Sequence, residues 1–262
     1  MNDESMTSVS GETNRVGDPV DHPTKSTTCF PELRLMGKLS TDLVFHELLT
    51  GMCAVSIMVW DDQGTIITCN DIAARGFQLP SIDDLIGKNL YDFAPKNWAS
   101  ERYQVAKLSM DTGKRITFLE ILGGSRLRTM IRPMTTEHDG KTNHFVLVTV
   151  EQISEKEFDF ACSGRSNDVV VHANVNDLGK LDVLTSRELE VLALMGKGMR
   201  AKDIAKELSR SLSTIDNHRN NIGDKLNIHD RGELIALAKK ASLTKEDATR
   251  QRVQFSKHIP SK

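Results

Sequence analysis

Residues 184–218 constrain the fold of this chain more than any other segment, because they predict three helices separated by short turns. Thr185 and Glu188 have the spacing of a capping box, in which two side chains satisfy backbone N–H groups at the start of a helix. Apolar residues then recur every three to four positions as far as Gly196, and residues 201–208 repeat the pattern. The three residues that follow are too few for anything but a turn, so the second helix leads directly into a third.

The third helix is predicted to divide into a buried side and a polar side. Ser211 or Ser213 can cap its first turn. At about 100° per residue, four side chains fall together and are expected to face the core: Ile215, His218, Ile222 and Leu226. Four polar residues lie opposite them: Asp216, Asn217, Asn220 and Asp224. The polar side is therefore free to contact a partner or solvent.

A helix that follows a short helix and a tight turn is the element that enters the major groove in many DNA-binding domains. Asn can form two hydrogen bonds with adenine, and Asp can accept one from cytosine N4. We therefore predict base contacts from Asp216, Asn217 and Asn220, although an ordinary solvated helix face has a similar composition. Contacts with the DNA backbone are predicted from surrounding cations and hydroxyls: Lys202, Ser211, Thr214, Arg219, Lys225 and Arg231.

A fourth helix is predicted after Asp230, whose spacing to Glu233 repeats the capping-box pattern. Its apolar residues are Leu234, Leu237, Ala238 and Ala241. One side of this helix is expected to pack on the other three. Leu237 and Ala241 are predicted to contact a second copy of the chain.

Residues 181–245 resemble the LuxR/NarL-type helix-turn-helix domain nearly position by position. The resemblance rests on residues that include Leu184, Thr185, Arg187, Glu188, Lys202, Ile204, Ala205, Thr214, Ile215, His218, Ile222 and Leu226. It implies an all-α tetrahelical domain that binds double-stranded DNA as a homodimer. RNA polymerase is a further partner that such a regulator can have. Ala201 departs from the usual Asn, and Asp216 from the frequent Lys, which removes a favourable charge near DNA.

Residues 33–152 predict a hairpin around Gly64, short helices, a longer helix that ends at Gly113, and three more strands. This order resembles the PAS fold, a five-stranded antiparallel sheet with helices that serves as a sensory or dimerising module. The resemblance implies that this module senses a small ligand or a protein partner, and the sequence leaves the choice open. Leu90 stands where light-sensing flavin relatives have the reactive Cys, so that photochemistry is not expected.

The strand predicted at residues 125–134 alternates Arg with less polar residues, which is typical of a half-solvated antiparallel strand. Arg126, Arg128 and Arg132 are expected to share one face of it, with Leu127, Thr129 and Ile131 on the other. The sheet and the helical domain together predict an α+β fold class.

Three further segments complete the predicted organisation. Residues 1–32 are too polar to bury a core and are expected to be disordered. Residues 153–180 are predicted to be a linker with room for a short strand, and residues 246–262 a flexible basic tail.

From residue 181 onward the chain has 16 Lys and Arg against 11 Asp and Glu, whereas the rest has 18 against 25. The C-terminal part is therefore the candidate for an acidic polymer partner.

No nucleophile with a nearby base, phosphate-binding Gly loop or metal-ligand cluster is recognisable, so we expect a regulator rather than an enzyme. The four Cys have irregular spacing and predict neither a metal site nor disulfides. No signal peptide or membrane-spanning run is recognisable, so we expect the protein to be located in the cytoplasm.

No cofactor is predicted beyond an unidentified small molecule in the PAS-like module. The alternative function is a protein-interaction adaptor whose helix-turn-helix domain no longer binds DNA.

Overall fold

The computed structural model describes residues 55–138, 140–164 and 168–255. The segment 1–32 that is predicted to be disordered lies outside these residues, as do residues 33–54 and 256–262. Within the described part, every helix is too short or too polar to cross a membrane.

The N-terminal region is built on an antiparallel sheet whose first five strands match the predicted order. These strands are β1 (Ser56–Asp61), β2 (Ile66–Cys69), β3 (Ile116–Leu122), β4 (Ser125–His138) and β5 (Lys141–Gln152), in the spatial order β2-β1-β5-β4-β3. Gly64 has φ +79° in the turn between β1 and β2, as the predicted hairpin requires. The prediction of a PAS-like sheet is thus confirmed.

Helices cover one face of this sheet and close its core. They are α1 (Asp71–Gly76), α2 (Lys96–Thr112) and two short 3₁₀ helices, Ile82–Asp84 and Leu90–Asp92. Ser81 caps the first 3₁₀ helix by accepting a hydrogen bond from Asp83 N. Gly113 ends α2 in the left-handed conformation. Trp60, Phe118 and Trp98 are among the buried side chains that join the sheet to α2.

Residues 153–180, predicted to be a linker, are largely folded. They form α3 (Glu155–Cys162), β6 (Val169–His172), β7 (Val175–Asn176) and a 3₁₀ helix at Gly179–Val183. The strand allowed for in the prediction is β6, which pairs parallel to β3 and makes the sheet six-stranded. The segment folds because Phe158 and Ala161 of α3 bury against Leu119 and Ile153, contacts that its local composition does not reveal.

The C-terminal region contains the four predicted helices. They are α4 (Ser186–Gly196), α5 (Ala201–Glu207), α6 (Leu212–Leu226) and α7 (Arg231–Lys240). The capping box of α4 is present, since Thr185 N donates to Glu188 Oε2 at 2.7 Å and Glu188 N donates to Thr185 Oγ1 at 3.3 Å. Ser211, rather than Ser213, caps α6 by accepting from Thr214 N at 3.1 Å.

Arg126 corrects the prediction of a half-solvated Arg face on β4. Its side chain is fully buried and donates to Asp247 Oδ2 at 2.6 Å, to the carbonyl of Ser242 at 3.0 Å and to that of Ala241 at 3.2 Å. The guanidinium also lies 4.5 Å from the ring centroid of Phe158. Arg126 is buried because the end of the helix-turn-helix domain covers β4 at this point.

The segment after residue 245 also differs from the predicted flexible tail. Residues Glu246–Thr249 form a 3₁₀ helix, and β8 (Gln251–Arg252) pairs parallel to β7. Phe255 is buried against the core of the PAS region, with its ring centroid 4.8 Å from that of Trp98. The chain therefore returns to the PAS region after completing the helix-turn-helix domain.

Candidate nucleic-acid interface

Helix α6 has the two-sided character that its sequence predicts. Ile215 and Ile222 are fully buried in the core of the helix-turn-helix domain. Asn217 and Asn220 are exposed, and Asp216 is half-buried. His218 and Leu226, which were predicted to face the core, are each half-buried. The amide side chains of α6 are thus accessible on the side that faces away from the core.

Asp216 is paired with a cation on its own helix. Arg219 Nη1 lies 3.2 Å from Asp216 Oδ1, one helical turn away, and both side chains remain partly exposed. Because Arg219 offsets the negative charge of Asp216, repulsion between this carboxylate and DNA phosphates is reduced. The pair also fixes the carboxylate on the polar side of α6.

The N-terminus of α6 presents hydroxyl and backbone N–H groups to solvent. Ser211 Oγ lies 2.7 Å from Thr214 Oγ1, and the two hydroxyls share a hydrogen bond. Lys202 on α5, nine residues before Ser211 in the sequence, is exposed. Arg231 is also exposed, and its Nη2 donates to the Met199 carbonyl at 3.4 Å. Hydroxyl groups at a helix N-terminus favour phosphate.

Lys225, a predicted backbone contact, is exposed but forms an ion pair with another residue of the same domain. Its Nζ lies 2.7 Å and 2.9 Å from the two carboxylate oxygens of Glu188, so it ties α6 to the start of α4. Burial alone would raise the pKa of Glu188, but hydrogen bonds from Lys225 and Thr185 outweigh it and lower that pKa. Contact between Lys225 and a phosphate would have to compete with this ion pair.

Of the two predicted dimer contacts, Leu237 and Ala241, one is buried and the other is partly accessible. Ala241 is fully buried, and its carbonyl accepts from Arg126, so the prediction that it contacts a second copy is wrong for this structure. Ala241 directly follows α7 and lies three residues after Ala238 and seven after Leu234, both of which are buried. This spacing continues the buried side of α7 and could have assigned Ala241 to the core. Leu237 is half-buried against the same core and retains some accessible surface.

A cavity of about 220 Å³ lies within the PAS region, and the sequence did not reveal it. Its walls come from β1, α1, α2, β3, β4 and β5, including Trp60, Phe77, Trp98, Arg102, Glu120 and Val150. The indole N–H groups of Trp60 and Trp98 are buried and have no hydrogen-bond partner among the residues that the structure describes. Arg102, by contrast, is paired with Glu120 at 2.5 Å and lies 4.2 Å from the Trp98 ring centroid.

Other chemistry-bearing side chains are dispersed. Within residues 55–138, 140–164 and 168–255, no three His, Cys, Asp or Glu side chains are grouped so as to hold a metal ion. Cys69 is a free thiol, and burial, together with nearby Asp71 and Asp83, raises its pKa to about 11. This thiol therefore stays protonated near neutral pH.

Two parts of the chain match known families. Residues 182–238 match the bacterial regulatory proteins of the luxR family, and residues 45–153 match the PAS fold. These matches confirm both resemblances predicted from the sequence, and the first family is one of regulators.

The oxygen regulatory protein NreC of Staphylococcus haemolyticus is 38% identical over 80 residues, which cover 29% of this chain and 37% of that relative. NreC of Staphylococcus epidermidis is 32% identical over 123 residues, which cover 47% of this chain and 52% of the relative. The chain therefore spans about half or less of the length of these relatives. A solved complex of VqmA from Vibrio cholerae with a ligand and DNA is 17% identical, covering 80% of this chain and 94% of that one, with a TM-score of 0.46.

Proposed function

We propose that this chain, which combines a PAS domain with a LuxR-type helix-turn-helix domain, is a sequence-specific DNA-binding regulator of transcription. The observation that carries the proposal is the orientation of α6. Asn217 and Asn220 are exposed on the side opposite the buried Ile215 and Ile222. A helix that is anchored on one side and polar on the other is suited to lie in the major groove.

Within this proposal, Asn217 and Asn220 bind base edges, and each amide is suited to adenine. Asp216, oriented by Arg219, accepts a hydrogen bond from cytosine N4. Backbone contacts come from Lys202, Ser211, Thr214, Arg219 and Arg231, while Lys225 contributes only if it leaves Glu188. The acidic residue makes affinity depend on cytosine at its position.

The PAS domain, in the same proposal, senses a small ligand in its cavity. Trp60 and Trp98 both line the cavity, and their buried indole N–H groups lack hydrogen-bond acceptors, which is costly for buried donors. The charge of Arg102 is already paired with Glu120, so the cavity suits an uncharged molecule. A small, uncharged ligand with at least one acceptor atom meets both conditions.

The regulator acts as a homodimer in the cytoplasm, with RNA polymerase as a further partner. Two copies of α6 bind half-sites about 34 Å apart, one turn of DNA, or a multiple of that distance. Leu237 is the remaining predicted contact on α7, since Ala241 is buried. The PAS domain sets the distance between the two DNA-binding domains and thereby the affinity for paired half-sites.

The test starts with selection of genomic fragments by the purified full-length chain, followed by titration of a selected duplex and a scrambled one. The double variant N217A/N220A is expected to lose at least about tenfold in preference for the selected duplex, since each good base contact contributes about 1–3 kcal/mol. The matched control N143A changes an Asn on β5, far along the chain from α6. An unchanged preference in N217A/N220A would refute the assignment of α6.

The adaptor alternative has a specific motivation, the acidic residues Asp216 and Asp224 on the polar side of α6. Pairing of Asp216 with Arg219 weakens this motivation, because the carboxylate no longer stands alone. Failure of the full-length chain to bind any genomic fragment at low salt would favour the adaptor over the regulator.

A further inference from the structure

The segment 250–255, here called the C-terminal strap, connects the helix-turn-helix domain to the PAS domain. It includes β8, and its backbone is held by hydrogen bonds from Gln251 N to the Asn174 carbonyl at 2.9 Å and from Val253 N to the Asn176 carbonyl at 3.0 Å. The strap is therefore paired with β7 and ends at the buried Phe255.

Phe255 packs on the outside of the ligand cavity wall. Its ring lies edge-on to Trp98, with centroids 4.8 Å apart, and is 6.2 Å from the ring of Phe77. Both Trp98 and Phe77 line the cavity. Movement of either ring to accommodate a ligand would change the surface on which Phe255 rests, because close-packed aromatic contacts transmit displacement.

A second set of contacts joins the cavity to β7, the strand that pairs with the strap. Arg102, which lines the cavity, donates from Nη2 to the Val175 carbonyl at 3.0 Å. Its neighbour Glu101 accepts from the backbone N–H groups of Asn174 at 2.6 Å and Val175 at 3.1 Å. Helix α2 therefore holds β7 through Arg102, which also lines the cavity, and through the adjacent Glu101.

The strap also contacts the helix-turn-helix domain directly. Arg252 Nη1 donates to the Leu184 carbonyl at 2.7 Å, immediately before the capping box of α4. The strap follows the 3₁₀ helix that contains Asp247, the partner of Arg126. The strap thus contacts the cavity wall through Phe255 and, three residues earlier, the start of the helix-turn-helix domain through Arg252.

We propose that the C-terminal strap is a latch that couples the PAS cavity to the position of the helix-turn-helix domain. With Phe255 seated on Trp98 and Phe77, the latch is closed and the domain is docked on the sheet. A molecule that fills the cavity displaces these rings and opens the latch, which releases Arg252 from the Leu184 carbonyl at the start of α4. This inference rests on the proposed ligand cavity, but it does not require that the chain bind DNA.

The first measurement is hydrogen exchange of the full-length chain without DNA, for wild type and F255A. Truncating Phe255 is expected to raise the exchange of residues 250–255 and of the paired residues 174–176 at least about tenfold, because a buried aromatic anchor is lost. The control F160A makes the same truncation at a Phe on α3 that is 53% exposed, and should leave the strap unchanged. Equal exchange in F255A and wild type would overturn the latch.

The second measurement tests the coupling to the cavity with V150F, which adds bulk at a residue of the cavity wall far from the strap in sequence. Opening of the strap in V150F, with exchange of β4 as slow as in wild type, is the expected result. Unchanged strap exchange in V150F would overturn the coupling even if F255A opens the strap.

F255L keeps an apolar side chain without the ring, so its strap exchange should lie between that of wild type and that of F255A. This variant guards against a misfolded F255A. Both measurements precede any DNA titration, so failure of DNA binding would refute the proposed regulator and leave the latch standing.

Discussion

Removal of the carboxylate of Asp247 should destabilise the whole described unit, since it leaves Arg126 buried without a counter-charge. Arg126 and Asp247 are both fully buried, with Nη2 and Oδ2 2.6 Å apart. Burial lowers the pKa of Arg126, and the attraction of Asp247 opposes that shift. Breaking a buried pair by removing one partner costs about 3–5 kcal/mol, because an uncompensated charge remains in the interior.

The variant is D247A, and the assay is thermal unfolding of the full-length chain followed by circular dichroism. A loss of 3–5 kcal/mol corresponds to a decrease in Tm of about 6–20 °C at about 2–4 °C per kcal/mol for domains of 150–250 residues. Asp247 also accepts from Thr244 N and Thr244 Oγ1, each at 2.9 Å, which places the expected loss toward the upper part of the range.

The matched control is E151A, which removes the partner of Arg128 on the same strand. That pair is 2.8 Å apart but about a quarter exposed, so its removal should cost about 0–1 kcal/mol. The double variant R126M/D247L replaces both charges of the buried pair with apolar groups and should recover part of the loss. Recovery stays incomplete because Arg250 Nη1, which lies 3.1 Å from Asp247 Oδ1, also loses its partner. If D247A lowers Tm no more than E151A does, the buried pair does not hold the domains together and the reasoning is refuted.

Three other predictions concern separate parts of the molecule. G179A should destabilise by clearly more than 1 kcal/mol in urea unfolding, because φ is +53° and a Cβ would lie 2.7 Å from the Gly123 carbonyl carbon; G113A, with φ +65° and open space, isolates the strain without the clash. The lowered pKa of Glu188 contributes stability that is complete above the ordinary Glu pKa and is lost as pH falls through the lowered value. E188Q should therefore make the free energy of unfolding less dependent on pH on the acid side. An equally steep dependence in E188Q would contradict this. R219A should reduce the slope of log K against log [salt] for the selected duplex by about one, and an unchanged slope would remove Arg219 from the phosphate contacts.

The helix-turn-helix domain could be predicted closely from the sequence because its signals are local. The capping box at Thr185 and Glu188 and the cap at Ser211 each involve residues three positions apart. The orientation of α6 follows from the spacing of Ile215 and Ile222 alone. Such patterns are visible in any window of a few turns, and tertiary contacts here reinforce them.

The docking of the two domains could not be predicted, because it depends on partners that are distant along the chain. Arg126 and Asp247 are 121 residues apart, and each is an ordinary polar residue in its own neighbourhood. Phe255 is a single aromatic residue in a polar stretch, without a periodic pattern. The cavity likewise arises from six elements, so no one segment encodes it.

Ile121 of β3 is fully buried within the apolar core of the helix-turn-helix domain, beside Leu178, Leu181 and Leu184. The helix-turn-helix domain of this chain therefore shares part of its apolar interior with the PAS region. A fragment that begins at residue 182, where the family match starts, would expose that shared surface and leave Asp247 with Arg250 as its cationic partner in place of Arg126. We therefore expect fusions of this domain to a different N-terminal domain to be more stable when the β3–β4 hairpin is transferred with it.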